Sequence, residues 1–267
     1  MDIKDMLNQL DSLYGNGNLK EAETHLSFWL EQALENNNYG AALTLYNEME
    51  GLYRTTGRAK EAAEISDNAL KLIEFMGLNG TVHHATTLLN GATANRWANN
   101  IDKALEMYTQ AESIYNNLGT SNTYLFASLY NNISHIYQQK NQHQTALEYL
   151  QKALNLITPT EDSAPEIATT RVAMSLSYLA LGKKDEAIKA LQLAKTYYES
   201  ENGQTDGHYG SYLSALGEYY WRCKDYDNAV STYEKALSVI KSRFGENDGY
   251  KTIAYNLEII NNEKQRT

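Results

Sequence analysis

Apolar residues recur along this chain at helical spacing, and turn-forming residues interrupt them at regular intervals. Residues 85–119 show the pattern. Ala85 to Ala98 keeps helical spacing without a breaker, Asn99 and Asn100 interrupt it, and Ile101 to Leu118 forms a second stretch closed by Gly119. The spacing predicts two helices per period. One alanine sets that period. It stands at Ala22, Ala62, Ala104, Ala146, Ala187 and Ala229, at steps of 40, 42, 42, 41 and 42 residues. Seven residues on are Trp29, Ala69, Ala111, Ala153, Ala194 and Ala236, and nine back are Leu13, Tyr53, Asn95, Tyr137, Tyr178 and Tyr220. A sustained period of this length marks stacked repeats, each contacting its neighbours.

Turn residues obey the same frame. Five positions before the alanine stand Gly17, Gly57, Asn99, Asn141, Gly182 and, as the exception, Lys224. A helix commonly ends on a residue at positive φ, which Gly and Asn tolerate best. Gly77, Gly119, Gly203 and Gly245 mark the breaks between repeats, with Glu161 in the fourth slot, where Thr158 to Ser163 supplies turn residues instead. The small alanines predict close helix crossings, with the tyrosines and leucines packed beside them. The expected architecture is all-α. It is a right-handed solenoid of antiparallel helix pairs forming one domain over 1–267, with repeats at about 2–36, 37–77, 78–119, 120–161, 162–203 and 204–245. A capping helix is expected over 250–264.

The pattern resembles the tetratricopeptide repeat in its 42-residue form, found in kinesin light chains and related bacterial proteins. Leu213-Ser214-Ala215-Leu216-Gly217-Glu218-Tyr219-Tyr220, then Asp225 to Ala229, then Tyr233-Glu234-Lys235-Ala236-Leu237 follow the family signature. Tyr130-Asn131-Asn132-Ile133-Ser134 resembles the double-asparagine element of the kinesin-light-chain type. The first repeat departs most, with Trp29 in place of alanine, as an end repeat should. The resemblance implies a protein- or peptide-binding scaffold whose first helices line a concave groove. The alternative is a peptide-sensing regulator that acts through a separate partner. Such regulators carry an extra output domain, for which the repeat, beginning at the N-terminus, leaves no room in this chain.

Composition narrows the chemistry. The net charge is −10, and no Lys/Arg cluster exists. Both argue against nucleic acid and an anionic membrane surface as partners. There is no run of apolar residues long enough to span a bilayer and no secretory signal at the start. With one cysteine, Cys223, no intrachain disulfide can form. The expected location is the cytoplasm, and the expected state a monomer or weak homodimer. No phosphate-binding glycine loop or Cys/His metal spacing is present. His83-His84 point about 100° apart on a helix and make a poor metal clip. No nucleophile or general acid–base pair can be assembled. No enzyme activity and no cofactor are expected.

The remaining candidate is the groove face of the first helices. Taking the tyrosine as the buried reference, 100° per residue assigns groove positions in each repeat. The second repeat gives Thr44, Asn47, Glu48, Gly51, Arg54 and Thr55, and the third Thr86, Leu89, Asn90, Thr93, Arg96 and Trp97. The fourth gives Ser128, Asn131, Asn132, His135, Gln138 and Gln139, all polar. The fifth gives Thr169, Val172, Ala173, Leu176, Leu179 and Ala180, an apolar patch, and the sixth includes Glu218, Trp221 and Arg222. The patch is either a binding site or a surface covered by a neighbouring or C-terminal helix. Asn8, Asn90 and Asn132 share one position and could bond a peptide backbone. The family's carboxylate clamp of groove lysines and asparagines is absent. The expected binding residues are Asn90, Arg96, Trp97, Asn131, Asn132, His135, Val172, Leu176, Leu179, Glu218, Trp221 and Arg222.

Overall fold

The computed structural model describes residues 3–119, 122–158 and 163–266. Among these the chain forms fourteen α-helices and no strand. They are α1 (Ile3–Gly15), α2 (Leu19–Glu35), α3 (Tyr39–Thr55), α4 (Ala59–Phe75), α5 (Val82–Trp97), α6 (Ile101–Asn117), α7 (Thr123–Gln139), α8 (His143–Ile157), α9 (Ala164–Ala180), α10 (Lys184–Tyr198), α11 (Glu201–Thr205), α12 (Tyr209–Arg222), α13 (Tyr226–Phe244) and α14 (Asp248–Lys264). Six helix pairs fall in the six expected segments, and α14 is the expected terminal helix. The short α11 has no counterpart in the period. The helices gather into two compact units, one ending at Ser121 and the other starting at Asn122. The first holds α1 to α6, the second α7 to α14.

The alanine frame is the packing frame. Ala22, Ala62, Ala104, Ala146, Ala187 and Ala229 are all fully buried. Four residues on, one helical turn, stand Leu26, Ser66, Tyr108, Leu150, Leu191 and Tyr233, each buried as well. The tyrosines of the first helices are less deeply placed than the sequence suggests. Tyr53 is buried, but Tyr137, Tyr178 and Tyr220 are half-buried. The fully buried phenols are Tyr108, Tyr115, Tyr198 and Tyr233, all on second helices. In the second unit Tyr198 stacks on Tyr212 with ring centroids 5.0 Å apart.

All six turn residues five before the alanine adopt positive φ, Lys224 included at 63°. Gly77, Gly119 and Gly245 do the same between repeats, and Asn37 takes that role after α2. Gly203 departs from the expectation. It lies inside α11, where an added Cβ would fall 2.0 Å from the Tyr197 carbonyl oxygen. Close backbone approach, rather than turn geometry, therefore requires glycine there. Glu161 lies outside the described residues.

Candidate functional site

A first helix inside a unit packs on its own second helix, on the second helix before it and on the adjacent first helices. In the first unit α3 packs on α5, and in the second α9 packs on both α7 and α12. Only a narrow strip of each first helix therefore stays open. This corrects the apolar patch expected on α9. Val172, Ala173 and Leu179 are buried, and of the large apolar side chains only Leu176 keeps substantial exposure, at 36%, with the small Ala180 open beside the helix end. The 100° construction allowed for one buried face and missed the two flanks. Thr93 is likewise buried, its Oγ1 2.8 Å from the Tyr108 hydroxyl.

Several of the expected groove side chains bond to the adjacent first helix. In the first unit Asn90 Nδ2 donates to Asn47 Oδ1 at 3.1 Å. In the second, Asn131 Nδ2 donates to Thr170 Oγ1 at 2.9 Å. Gln138 Nε2 donates to the Ala173 carbonyl and the Ser177 hydroxyl at 2.8 and 2.9 Å, and its Oε1 lies 2.9 Å from His135 Nδ1. Asn132 is half-buried on the same strip. Trp221 Nε1 donates to Glu263 Oε2 on α14 at 2.8 Å. Arg222 is held by Glu218 at 3.0 Å, and its carbonyl accepts from Lys184. The side chains placed by their sequence position thus tie the stack together, which leaves fewer donors for a ligand than the sequence suggests.

Trp97 remains open in the first unit, with the half-buried Arg96 beside it. Trp97 is 51% exposed, and the Arg96 guanidinium lies 5.0 Å above its ring. Trp97 also walls a shallow cavity of about 370 Å³ with Gly57 to Glu61 and Asn99, at the turn edge of the unit. Burial lowers the pKa of Arg96, the Tyr108 phenol opposes that shift, and the Arg54 charge adds to it. The Arg96 guanidinium stays charged. Glu50 is buried on α3, and burial pushes its carboxyl up to about 8 against the opposing Arg54 charge. Sequence reasoning named Arg54 as a groove residue but did not single it out. Its 42-residue distance from Arg96 was the available signal.

Among the described residues no group of three His, Cys, Asp or Glu side chains could hold a metal ion. Among the same residues no helix is long and apolar enough to cross a membrane. Cys223 is exposed at the end of α12. His84 Nδ1 accepts the Gly80 amide at 3.1 Å, a local turn contact.

Residues 125–200 match one tetratricopeptide-repeat family model and residues 211–242 match another. A secreted RxLR effector protein of Plasmopara halstedii is 25% identical over 79% of this chain, and a kinesin light chain-related protein of Arabidopsis thaliana is 28% identical over 53%. The matches span 62% and 22% of those relatives' own lengths. A Rap protein solved with Competence and Sporulation Factor is 15% identical, with a TM-score of 0.69 over 99% of this chain and 72% of that one. The apo quorum sensor NprR of B. thuringiensis is also 15% identical, with a TM-score of 0.64 over 97% and 69%. At such identities the likeness is one of fold alone. Both family models agree with the helix pairs seen there: residues 125–200 and 211–242 are tetratricopeptide repeats, and the chain is similar in sequence to a kinesin light chain-related protein.

Proposed function

We propose that the chain is a non-catalytic scaffold that binds a protein or an extended peptide along the open strips of its first helices. The observation that carries this reading is Trp97. A tryptophan half exposed beside an arginine on its face is the kind of anchor that dominates protein interfaces. In the second unit the corresponding strip is Asn132, His135 and Leu176, with Glu218 and Arg222 on α12. The Rap protein of the same fold, solved with its factor, supports a binding role for such a stack. The likeness to the quorum sensor NprR favours a second reading, in which a bound peptide alters how this chain meets a separate partner.

Affinity capture with the wild-type chain, followed by mass spectrometry, identifies the partner. The same capture with Trp97→Ala and Leu176→Asp tests the site. Loss of the same protein in either variant, with the helical content unchanged, supports the reading. Equal recovery from all three chains overturns it. For the regulator reading, addition of a synthetic peptide copied from the partner should change recovery of a second protein.

A further inference from the structure

The outer side of α14 differs from the same side of α12. In α12 that side carries Tyr209, Leu213 and Leu216, which enter the core shared with α13, the first two buried and the third partly so. An added Cβ on Gly210 or Gly217 would meet Ile240 or Tyr233 of α13, so this is the side that receives a second helix. The same places on α14, 42 residues on, hold Lys251, Tyr255 and Glu258, all exposed, Tyr255 at 64%. In other repeats the position of Tyr255 is held by Met6, Leu88 and Leu213, each buried. Tyr130 holds it in α7, with its ring 5.8 Å from that of Tyr149 on α8. Among the described residues no second helix lies on this side of α14.

At 100° per residue, Lys251, Tyr255, Glu258 and Asn262 form one strip opposite the buried Ile253 and Ile260. The end helix of a stack is expected to be polar on its outer side. This strip is more than solvated surface in two respects. It keeps a large aromatic ring, whose apolar body favours burial at an interface. It also carries two charges of opposite sign, one on each side of that ring. Among the described residues the ion pairs that touch α14 join Lys251 to Asp248 and Lys264 to Asp227, and leave Glu258 out. The Lys251 pair is exposed at both ends and contributes little.

Such a strip is complementary to itself. Let two copies of α14 lie antiparallel, with a two-fold axis between residues 254 and 255. Lys251 of each copy then faces Glu258 of the other, because the two stand equally far from the axis on opposite sides. Tyr255 falls over Ala254 of the other copy, a small side chain that gives the ring room. A parallel pair would set Lys251 beside Lys251 and Glu258 beside Glu258, so the charges select the antiparallel arrangement. Two-fold interfaces are self-complementary in this manner.

We propose that the exposed strip of α14 is a homodimer contact, in which two copies of the chain pair these helices antiparallel about Tyr255 and join Lys251 of each to Glu258 of the other. The occupant is a second copy because the two charges answer each other across the axis without a third group. One helix pair lies at the small end of interface sizes, so the dimer is weak and forms at high micromolar concentration.

Sedimentation equilibrium of the full-length chain, from low to high micromolar concentration, measures the association. The wild type should dimerise reversibly. Tyr255→Ser, Lys251→Glu and Glu258→Lys should each raise the dimer Kd by about tenfold or more. Each charge variant alone sets like charges against each other at both contacts. A mixture of Lys251→Glu with Glu258→Lys places opposite charges at both contacts again and should recover the association of the wild type. All three side chains are exposed, so circular dichroism should show unchanged helical content in each variant. A wild type that stays monomeric throughout the range overturns the proposal. So does a dimer indifferent to the three variants, or one that mixing fails to restore, since either would pair through another surface or register. A different protein that binds the strip while the wild type stays monomeric would give the face to that protein and overturn self-association.

Discussion

Trp221 and Glu263 stand 42 residues apart and are joined by a 2.8 Å hydrogen bond from the indole nitrogen to the carboxylate. The spacing is that of the repeat, so α14 takes the place that the first helix of a further repeat would have. Its apolar side enters the same core as α12 and α13 through Ile253 and Ile260, both buried. Packing therefore holds α14, and the Trp221 bond sets its register. Ile260→Ala should lower stability by about 2–4 kcal/mol through loss of buried volume. Glu263→Ala should cost on the order of 1 kcal/mol. Urea denaturation of both variants checks the order of the two effects, and equal losses would mean that the polar contact, not the core, holds the helix.

Two glycines in the first unit should respond in opposite ways to the same change. An added Cβ at Gly91 would meet Ser66 Oγ at 1.9 Å and Met107 Cε at 2.6 Å. At Gly51 the nearest atom is 3.9 Å away. Gly91→Ala should therefore destabilise by about 1–3 kcal/mol, and Gly51→Ala should stabilise by about 0.5–1 kcal/mol through helix propensity. Ala104→Leu, at a fully buried crossing, should follow Gly91→Ala with a cost of about 1–3 kcal/mol. Thermal or urea midpoints of the three variants decide the matter. No loss in Ala104→Leu would separate the alanine frame from the packing.

Lys224 holds φ at 63°, where the other repeats place glycine or asparagine. A side chain with a Cβ pays for that conformation. Lys224→Gly should raise stability by about 0.5–1 kcal/mol, net of the greater freedom of glycine in the unfolded chain. A lowered urea midpoint would show that the lysine side chain contributes contacts that outweigh its backbone strain.

Glu50 makes the first unit's stability depend on pH. Its folded pKa, about 8, lies above the ordinary 4.5. The folded state therefore keeps a proton that the unfolded chain gives up. The protonated carboxyl is fully compatible with folding below about pH 4.5, and stability falls as pH rises towards 8. Glu50→Gln removes this term. The variant should match the wild type near pH 4 and exceed it by on the order of 2–3 kcal/mol at pH 7. Urea titrations at the two pH values test this, and a constant difference would mean that Glu50 is ionised in the fold.

The sequence made the fold legible because alanine, glycine and asparagine each answer a local demand that recurs unchanged in every repeat. Close crossings admit only small residues, and positive φ selects Gly or Asn. Even Lys224 takes its turn conformation from its place in the frame. The site was less legible for a reason visible at Val172. Val172 joins a core that α12 shares with α10, and lateral packing between repeats leaves no mark in a single helix's periodicity. Asn90, Asn131 and Trp221 were read as groove groups from their positions, but their donors are used between adjacent helices. Glu50 escaped because its helix position gave no hint of how deeply α3 is covered.

Leu176 is the one large apolar member of the α9 patch that keeps an open side chain, so the binding strip of the second unit turns on it. If an extended chain lies along α7, α9 and α12, an apolar side chain should sit on Leu176, next to His135 and Asn132. Leu176→Asp puts a charge at that contact, and a bound apolar group would then face it desolvated. The partner's Kd should rise by about tenfold or more, at 1.4 kcal/mol per decade. Because the site is 36% exposed, the charge is solvated in the free chain and the fold should survive. Glu148→Lys, on the exposed side of the second helix α8, is the matched control and should leave Kd within about twofold. Isothermal titration of the captured partner against the three chains measures both. Equal Kd values for Leu176→Asp and Glu148→Lys would remove α9 from the interface and confine binding to the strip around Trp97.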